Sequence, residues 1–317
     1  MDLIMYRTLF SRLLSGSKTR IVGHASISFP KHYLTKSVRY ISMDYESVRT
    51  LTAEPAVDPV TIDKREKITL IGLNRPNSRN AVNRDMARQL TVAFKAFEND
   101  EQSNVAVLHG IGEHFCAGYD LKELATSKEI LSEETKKHMS IHGAMGPTHL
   151  HICKPVIAAV NGYAVAGGLE LALLCDLRVF EQSTQVGVLS RRFGVPLIDG
   201  GTVRLPALIG MSKALDLILT GRLLRASEAQ EMGIANRVTE DGGALSAAVQ
   251  LAKDISNFPQ LCLRADRNST YHSVFDAASI RDSLEYELEN AMDVLERESI
   301  SGAQKFVEGV GRKGMFS

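Results

Sequence analysis

Two glycine-bearing turns and one carboxylate stand out in this chain as groups that could do chemistry. The first turn is Phe115-Cys116-Ala117-Gly118-Tyr119-Asp120-Leu121, which follows a β-branched run at 105–109. The second is Ala166-Gly167-Gly168-Leu169-Glu170-Leu171, which follows the apolar run 156–160. In each, a strand empties into a turn that can open a helix, where successive backbone N–H groups lack intrahelical partners. Glycine there lets a ligand come close to the backbone. Two such donors from separate loops can hold a carbonyl oxygen as it gains negative charge. Tight packing alone is the other reading of each turn. Glu170 favours chemistry, because a carboxylate in an otherwise apolar run is costly unless it is paired or working.

These groups need rigid elements to position them. Residues 155–175 are 21 long with one charge, Glu170, which is near the length of a membrane span. Asn161-Gly162 and Gly167-Gly168 interrupt that run, so it reads as a buried strand at 156–160, a turn, and a helix over 167–174. No transmembrane segment is expected. Upstream, 61–63 and 68–73 read as a hairpin across Lys64-Arg65-Glu66. Met86, Leu90, Ala93, Phe94 and Phe97 recur at helical spacing and predict an amphipathic helix over 83–99. A weaker helical pattern covers 133–149. Short strands follow at 177–180 and 185–188, then a helix over 212–219 that stops at Gly221. Ser227 and Gln230 form a capping-box pattern for a helix over 227–232, closed by Gly233. Helical patterns at 244–256, 259–271 and 280–298 complete the chain. Alternating β and α units with an all-helical end indicate an α/β core carrying a helical extension.

Other chemistries lack their residues. There is no Walker-type phosphate loop and no G-x-S-x-G elbow. Glu134, His138 and His142 could share a helix face, but no fourth metal ligand accompanies them, so no metal site is expected. Thirty-seven basic residues against 37 acidic ones argue against a basic nucleic-acid binder. The scattered Cys116, Cys153, Cys175 and Cys262 form neither a disulfide framework nor a zinc knuckle, and read as reduced core thiols.

The neutrality hides an asymmetry. Residues 1–43 hold seven basic side chains against Asp2 alone, a net charge of +6, and seven serines. That composition is one of a mitochondrial transit peptide, and the alternative is a tail without an address. The remaining 30 basic and 36 acidic side chains leave −6 on the rest. The expected division is therefore a transit or disordered segment at 1–43, an α/β core at 57–257 and a helical region at 258–317. A mitochondrial matrix location would also keep the thiols reduced.

From about Thr61 to Val238 the chain resembles the enoyl-CoA hydratase/isomerase (crotonase) family. Asn74-Arg75-Pro76 through Asn80-Ala81 is similar to its early acyl-CoA-binding segment, and Phe115 to Leu121 to its first oxyanion loop. Lys154 onward through Gly167-Gly168 to Glu170 and Cys175-Asp176 is similar to its signature. Gly200-Gly201-Thr202 with Arg204-Leu205-Pro206 and Ile209-Gly210 is similar to the segment that follows. The resemblance implies a spiral of ββα units, a coenzyme A thioester as substrate with no cofactor, and addition of water to a 2-enoyl-CoA. Double-bond isomerisation, or acyl-CoA binding with weak or lost catalysis, are the alternatives. It implies the N–H groups of Tyr119 and Gly167 as the oxyanion hole, with Asn80, Ala81, Ala117, Gly118, Asp120, Leu121 and Gly168 lining the acyl-CoA site. Glu170 falls on the family's first catalytic glutamate. The second glutamate's position is Ser190, and no carboxylate lies between Glu181 and Asp199. Asp199 then stands either as a recruited second acid or as the cap of a helix after Gly200. The resemblance also implies a homotrimer or homohexamer, for which Leu284, Leu288, Met292 and Leu295 form an apolar stripe.

Overall fold

The computed structural model describes residues 58–126 and 132–311. The targeting reading of residues 1–43 lies outside them. Nine strands follow one another as β1 (Val60–Arg65), β2 (Ile68–Leu73), β3 (Val105–Gly110), β4 (Val156–Val160), β5 (Tyr163–Val165), β6 (Leu177–Glu181), β7 (Gln185–Gly187), β8 (Leu223–Arg225) and β9 (Arg237–Thr239) among the described residues. They form a six-stranded sheet in the order β1-β2-β3-β4-β6-β9 and a three-stranded sheet in the order β5-β7-β8. Only β1 is antiparallel in the larger sheet.

The central strands β2, β3 and β4 of the larger sheet are largely buried, and their side chains alternate between two cores. Ile71, Leu73, Ala106, Leu108, Val156, Ala158 and Val160 face one; Ile68, Leu70, Val105, Val107, Ile157 and Ala159 face the other. This is why these three strands read as apolar runs. The first core is filled by α1 (Arg84–Asn99), which presents Met86, Leu90, Phe94 and Phe97 at helical spacing. Asn83 caps that helix, its Oδ1 accepting from the Met86 N–H at 3.0 Å. At its far end the buried Lys154 ammonium donates to the carbonyls of Phe97 (2.8 Å) and Asp100 (2.7 Å).

The remaining helices follow in chain order. They are α2 (Leu121–Thr126), α3 (Glu133–His142), α4 (Gly167–Leu174), α5 (Gly201–Ile209), α6 (Met211–Thr220), α7 (Ala226–Met232), α8 (Ala244–Ser256), α9 (Gln260–Phe275), α10 (Ile280–Val294) and α11 (Ile300–Glu308). Helix α8 covers the second core with Ala244, Ala248, Leu251 and Ala252. No helix among the described residues is long and apolar enough to cross a membrane.

Several expectations are corrected. The hairpin turn is Glu66-Lys67, because β1 continues to Arg65 and Glu66 takes a positive φ of 53°. The pattern over 133–149 breaks after His142, where Gly143 turns at φ 94°, and resumes only as a short 3-10 turn, Pro147–His149. Ser227 does not cap α7: the cap is Arg225, with no side-chain bond, so the capping box is a coincidence of composition. Cys262 is exposed rather than a core thiol.

Candidate active site

The two turns meet. Cys116 N–H donates to the Tyr163 carbonyl at 2.9 Å and Val165 N–H donates back to the Cys116 carbonyl at 3.1 Å, a parallel bridge between Cys116 and Ala164. Tyr119 and Gly167 each lie three residues beyond that bridge. A second bridge ties Val82 to the first turn, through Val82 N–H to the Gly118 carbonyl and Asp120 N–H to the Val82 carbonyl, both 2.8 Å. This uses the groups on either side of Tyr119 and leaves the Tyr119 N–H without an acceptor among the described residues. Gly167 opens α4, so its N–H has no intrahelical partner either. Gly118, at φ 97°, would place a Cβ 3.1 Å from the Gly167 nitrogen and 3.1 Å from the Val165 carbonyl oxygen. Only glycine allows the loops to approach this closely. Ala166, just before the donor, is held at φ 54° and ψ −124°, a region costly for a residue with a Cβ.

Glu170 sits one turn into α4, on the face that Gly167 starts. It is 3% exposed. Its Oε1 accepts from Asp199 N–H at 2.9 Å and from Gly201 N–H, the first donor of α5, at 2.8 Å. Oε2 has no hydrogen-bond partner among the described residues. Burial pushes this carboxyl up to about 7; the two N–H donors pull it down and the neighbouring Asp199 charge pushes it up. A carboxyl held there exists in both protonation states near neutrality, which suits a group that must give and take protons.

Asp199 is the second carboxylate. It is as buried as Glu170, and its Oδ1 accepts from the Met145 N–H at 2.9 Å and from the Thr148 hydroxyl. It does not cap α5, whose cap is Gly200 with no side-chain bond. That alternative is overturned because the carboxylate turns away from the helix toward residues 145–148. Ser190 lies in a 3-10 turn (Leu189–Phe193) just past β7, which runs parallel to β5, the strand that feeds Gly167. Its hydroxyl oxygen is buried without a hydrogen-bond partner.

The other expected site residues lie in or beside the two turns. Asn80 is fully buried, and its side chain is consumed in accepting from Arg75 N–H (2.8 Å) and donating to the carbonyls of Ile111 (3.0 Å) and His114 (2.6 Å). It therefore holds the loop, and any contact with a ligand falls to its neighbours. Asp120 pairs with Arg75 at 3.1 Å and accepts from Lys122 N–H at the start of α2. Arg75 also donates to the Ala81 carbonyl. Ala117 is half-buried, and Leu121 is exposed at the rim. Gly168 packs on the Cys116 carbonyl, where a Cβ would overlap it. Cys116 is no nucleophile: complete burial pushes its thiol up to about 12. Met145 and Thr148 were not anticipated from sequence. Met145 lies against Gly167, where a Cβ would come within 2.5 Å of its sulfur. Their partners are some fifty residues away, so no local pattern marks them.

Comparison with known proteins identifies the family. The family described as enoyl-CoA hydratase/isomerase matches residues 63–313. The chain is similar to enoyl-CoA hydratase EchA19 of Mycobacterium tuberculosis, 35% identical over 221 residues, covering 68% of this chain and 80% of that protein. A Dictyostelium discoideum protein named as a mitochondrial enoyl-CoA hydratase is 35% identical over 201 residues, 63% of this chain and 71% of its own. A crystal structure of an enoyl-CoA hydratase from Mycobacterium tuberculosis superposes with a TM-score of 0.73 at 34% identity, covering 80% of this chain and 96% of that one. With two free backbone donors, a buried carboxyl beside them and this match over most of its length, the chain belongs to the enoyl-CoA hydratase/isomerase family.

Proposed function

We propose that the protein hydrates a 2-enoyl-CoA with Glu170 and Asp199 as its two carboxylates. The observation that carries the reading is the pairing of unsatisfied Tyr119 and Gly167 N–H groups with a carboxyl one turn away that is held near neutrality. The thioester carbonyl oxygen accepts from both donors. As the oxygen of a water bonds to C3, the electron pair of the double bond moves onto that carbonyl oxygen as an enolate. One carboxylate takes a proton from the water. The other gives a proton to C2, the enolate collapses, and a 3-hydroxyacyl-CoA leaves with all three atoms of the water accounted for. Proton exchange with solvent resets the pair. Asp199 supplies the second carboxylate that the Ser190 position lacks, and its charge already acts on Glu170.

The test is incubation of purified protein with crotonyl-CoA and, separately, a 3-enoyl-CoA, with products resolved by chromatography and mass. A product heavier by one water from crotonyl-CoA is expected. Conversion only of the 3-enoyl-CoA to its conjugated isomer would make the protein an isomerase. Binding without conversion of either would make it an acyl-CoA-binding protein.

The same proposal extends to place and assembly. The basic, serine-rich residues 1–43 and the relative named as mitochondrial support delivery to the mitochondrial matrix. A reporter fused to residues 1–43 that stays in the cytosol would refute this. Leu284, Leu288, Met292 and Leu295 are all about half exposed or more, which supports burial against further copies in a homotrimer or homohexamer.

A further inference from the structure

We infer that Thr148 is a positioning residue for the reaction, acting through Asp199; the inference rests on the two-carboxylate reading. Thr148 is fully buried, and its hydroxyl donates to Asp199 Oδ1, the oxygen that also accepts from the Met145 N–H. Two donors on one oxygen fix the carboxylate's rotation. They leave Oδ2 as the oxygen without a hydrogen-bond partner among the described residues. The main chains of the two residues are held together as well, because Arg204 donates from Nη1 to the Asp199 carbonyl (3.1 Å) and from Nη2 to the Thr148 carbonyl (2.8 Å). Gly143 clears the space: a Cβ there would overlap the Thr148 hydroxyl and lie 2.6 Å from Asp199 Oδ1.

The same short segment also reaches the oxyanion hole. Met145 donates to Asp199 through its backbone while its side chain covers Gly167. One run of six residues, 143–148, thus references both the place where charge is held and the carboxylate that moves a proton. Stability does not require this arrangement. A buried threonine can satisfy itself on its own helix, as Thr91 does on the Ala87 carbonyl at 2.9 Å, and an apolar pair would avoid burying a carboxylate at all. A fixed carboxylate serves proton transfer, where a small misplacement is costly in rate.

Steady-state kinetics on crotonyl-CoA with Thr148→Val, Thr148→Ser, Asp199→Asn and the Thr148→Val/Asp199→Asn double variant tests the inference. Thr148→Val is expected to lower kcat by about tenfold or more with KM within about twofold, and Thr148→Ser to keep most of kcat. In the Asp199→Asn background, Thr148→Val should cost nothing further. An equal loss in Thr148→Ser, or a full additional loss in the double variant, would show a packing role and overturn the inference. Loss in Asp199→Asn with wild-type kcat in Thr148→Val would overturn it alone. Wild-type turnover in Asp199→Asn would take down the two-carboxylate reading and this inference together. Thr148→Ala provides a second hydroxyl-free variant should the valine variant not fold.

Discussion

Replacing Glu170 by glutamine should make the protein more stable at alkaline pH and nearly inactive, and both effects have a size. The glutamate is raised from 4.5 to about 7 in the folded state, chiefly by burial. A group raised on folding contributes most below its unfolded value and loses that contribution as pH rises through its folded value. Each tenfold gain in proton affinity on folding is worth about 1.36 kcal/mol, so between pH 5 and pH 8 the wild type should lose about 2–3 kcal/mol through this group. Glutamine does not titrate, and its carbonyl can still accept from the N–H groups of Asp199 and Gly201 that now meet Oε1. Groups that do not touch Glu170 contribute equally in both proteins and cancel. The stability difference between variant and wild type should thus grow in the variant's favour by about 2–3 kcal/mol from pH 5 to pH 8, roughly 5–10 °C in Tm for a domain of this size. Turnover should fall by about 10² or more, while affinity for a saturated acyl-CoA stays within about twofold, since the backbone donors are untouched. Thermal unfolding at both pH values, with initial rates and a binding titration at pH 7.5, reads all three. Parallel pH dependence in the two proteins would show that burial is not holding the carboxyl up. Undiminished turnover would show that Glu170 moves no proton.

Other outcomes follow from the same geometry. Tyr119→Phe should keep wild-type kcat, because the role rests on the backbone N–H and burial keeps the phenol neutral at up to about 12; a hundredfold loss in a rate assay would contradict this. Gly168→Ala should destabilise by about 1–3 kcal/mol in chemical denaturation, since the new Cβ meets the Cys116 carbonyl rather than a movable side chain. Lys154→Ala should cost about 1–3 kcal/mol by removing the buried ammonium from the Phe97 and Asp100 carbonyls, which keep only the N–H groups of Asp100 and Ser103, measured the same way. Leu288→Glu should reduce the mass seen by light scattering to that of one chain if α10 joins copies, and a mass unchanged from wild type would refute that use of the stripe.

Much of the core was legible because local signals agreed. Asn161-Gly162 and Gly167-Gly168 punctuate an apolar run, so α4 falls at Gly167–Leu174 as expected, and Asn83 marks the start of α1. What failed to show depends on distant contacts. Strand β5 is three residues long and exists because β7 pairs with it, which no periodicity announces. Ser227 has a capping pattern, but the chain enters α7 from β8 with Arg225 at the cap. Asp199 could be named from sequence as the nearest carboxylate after Ser190. Its orientation could not, because Met145 and Thr148 lie 54 and 51 residues away.

The bridge between Cys116 and Ala164 acts as a ruler. It sets two peptide chains about one interstrand spacing apart, roughly 4.8 Å, and counts an equal number of residues along each to its donor. Under the proposed function, the address of the carbonyl oxygen is written in backbone register rather than in side chains. Substitution would then move or remove carboxylates around the acyl chain, as proposed for the Ser190 and Asp199 positions, without shifting where the thioester is gripped. Insertion or deletion of one residue in either loop cannot do so. It would turn a donor to the opposite side and erase the address, so this lineage of sites should vary freely in its acids and hardly at all in its loop lengths.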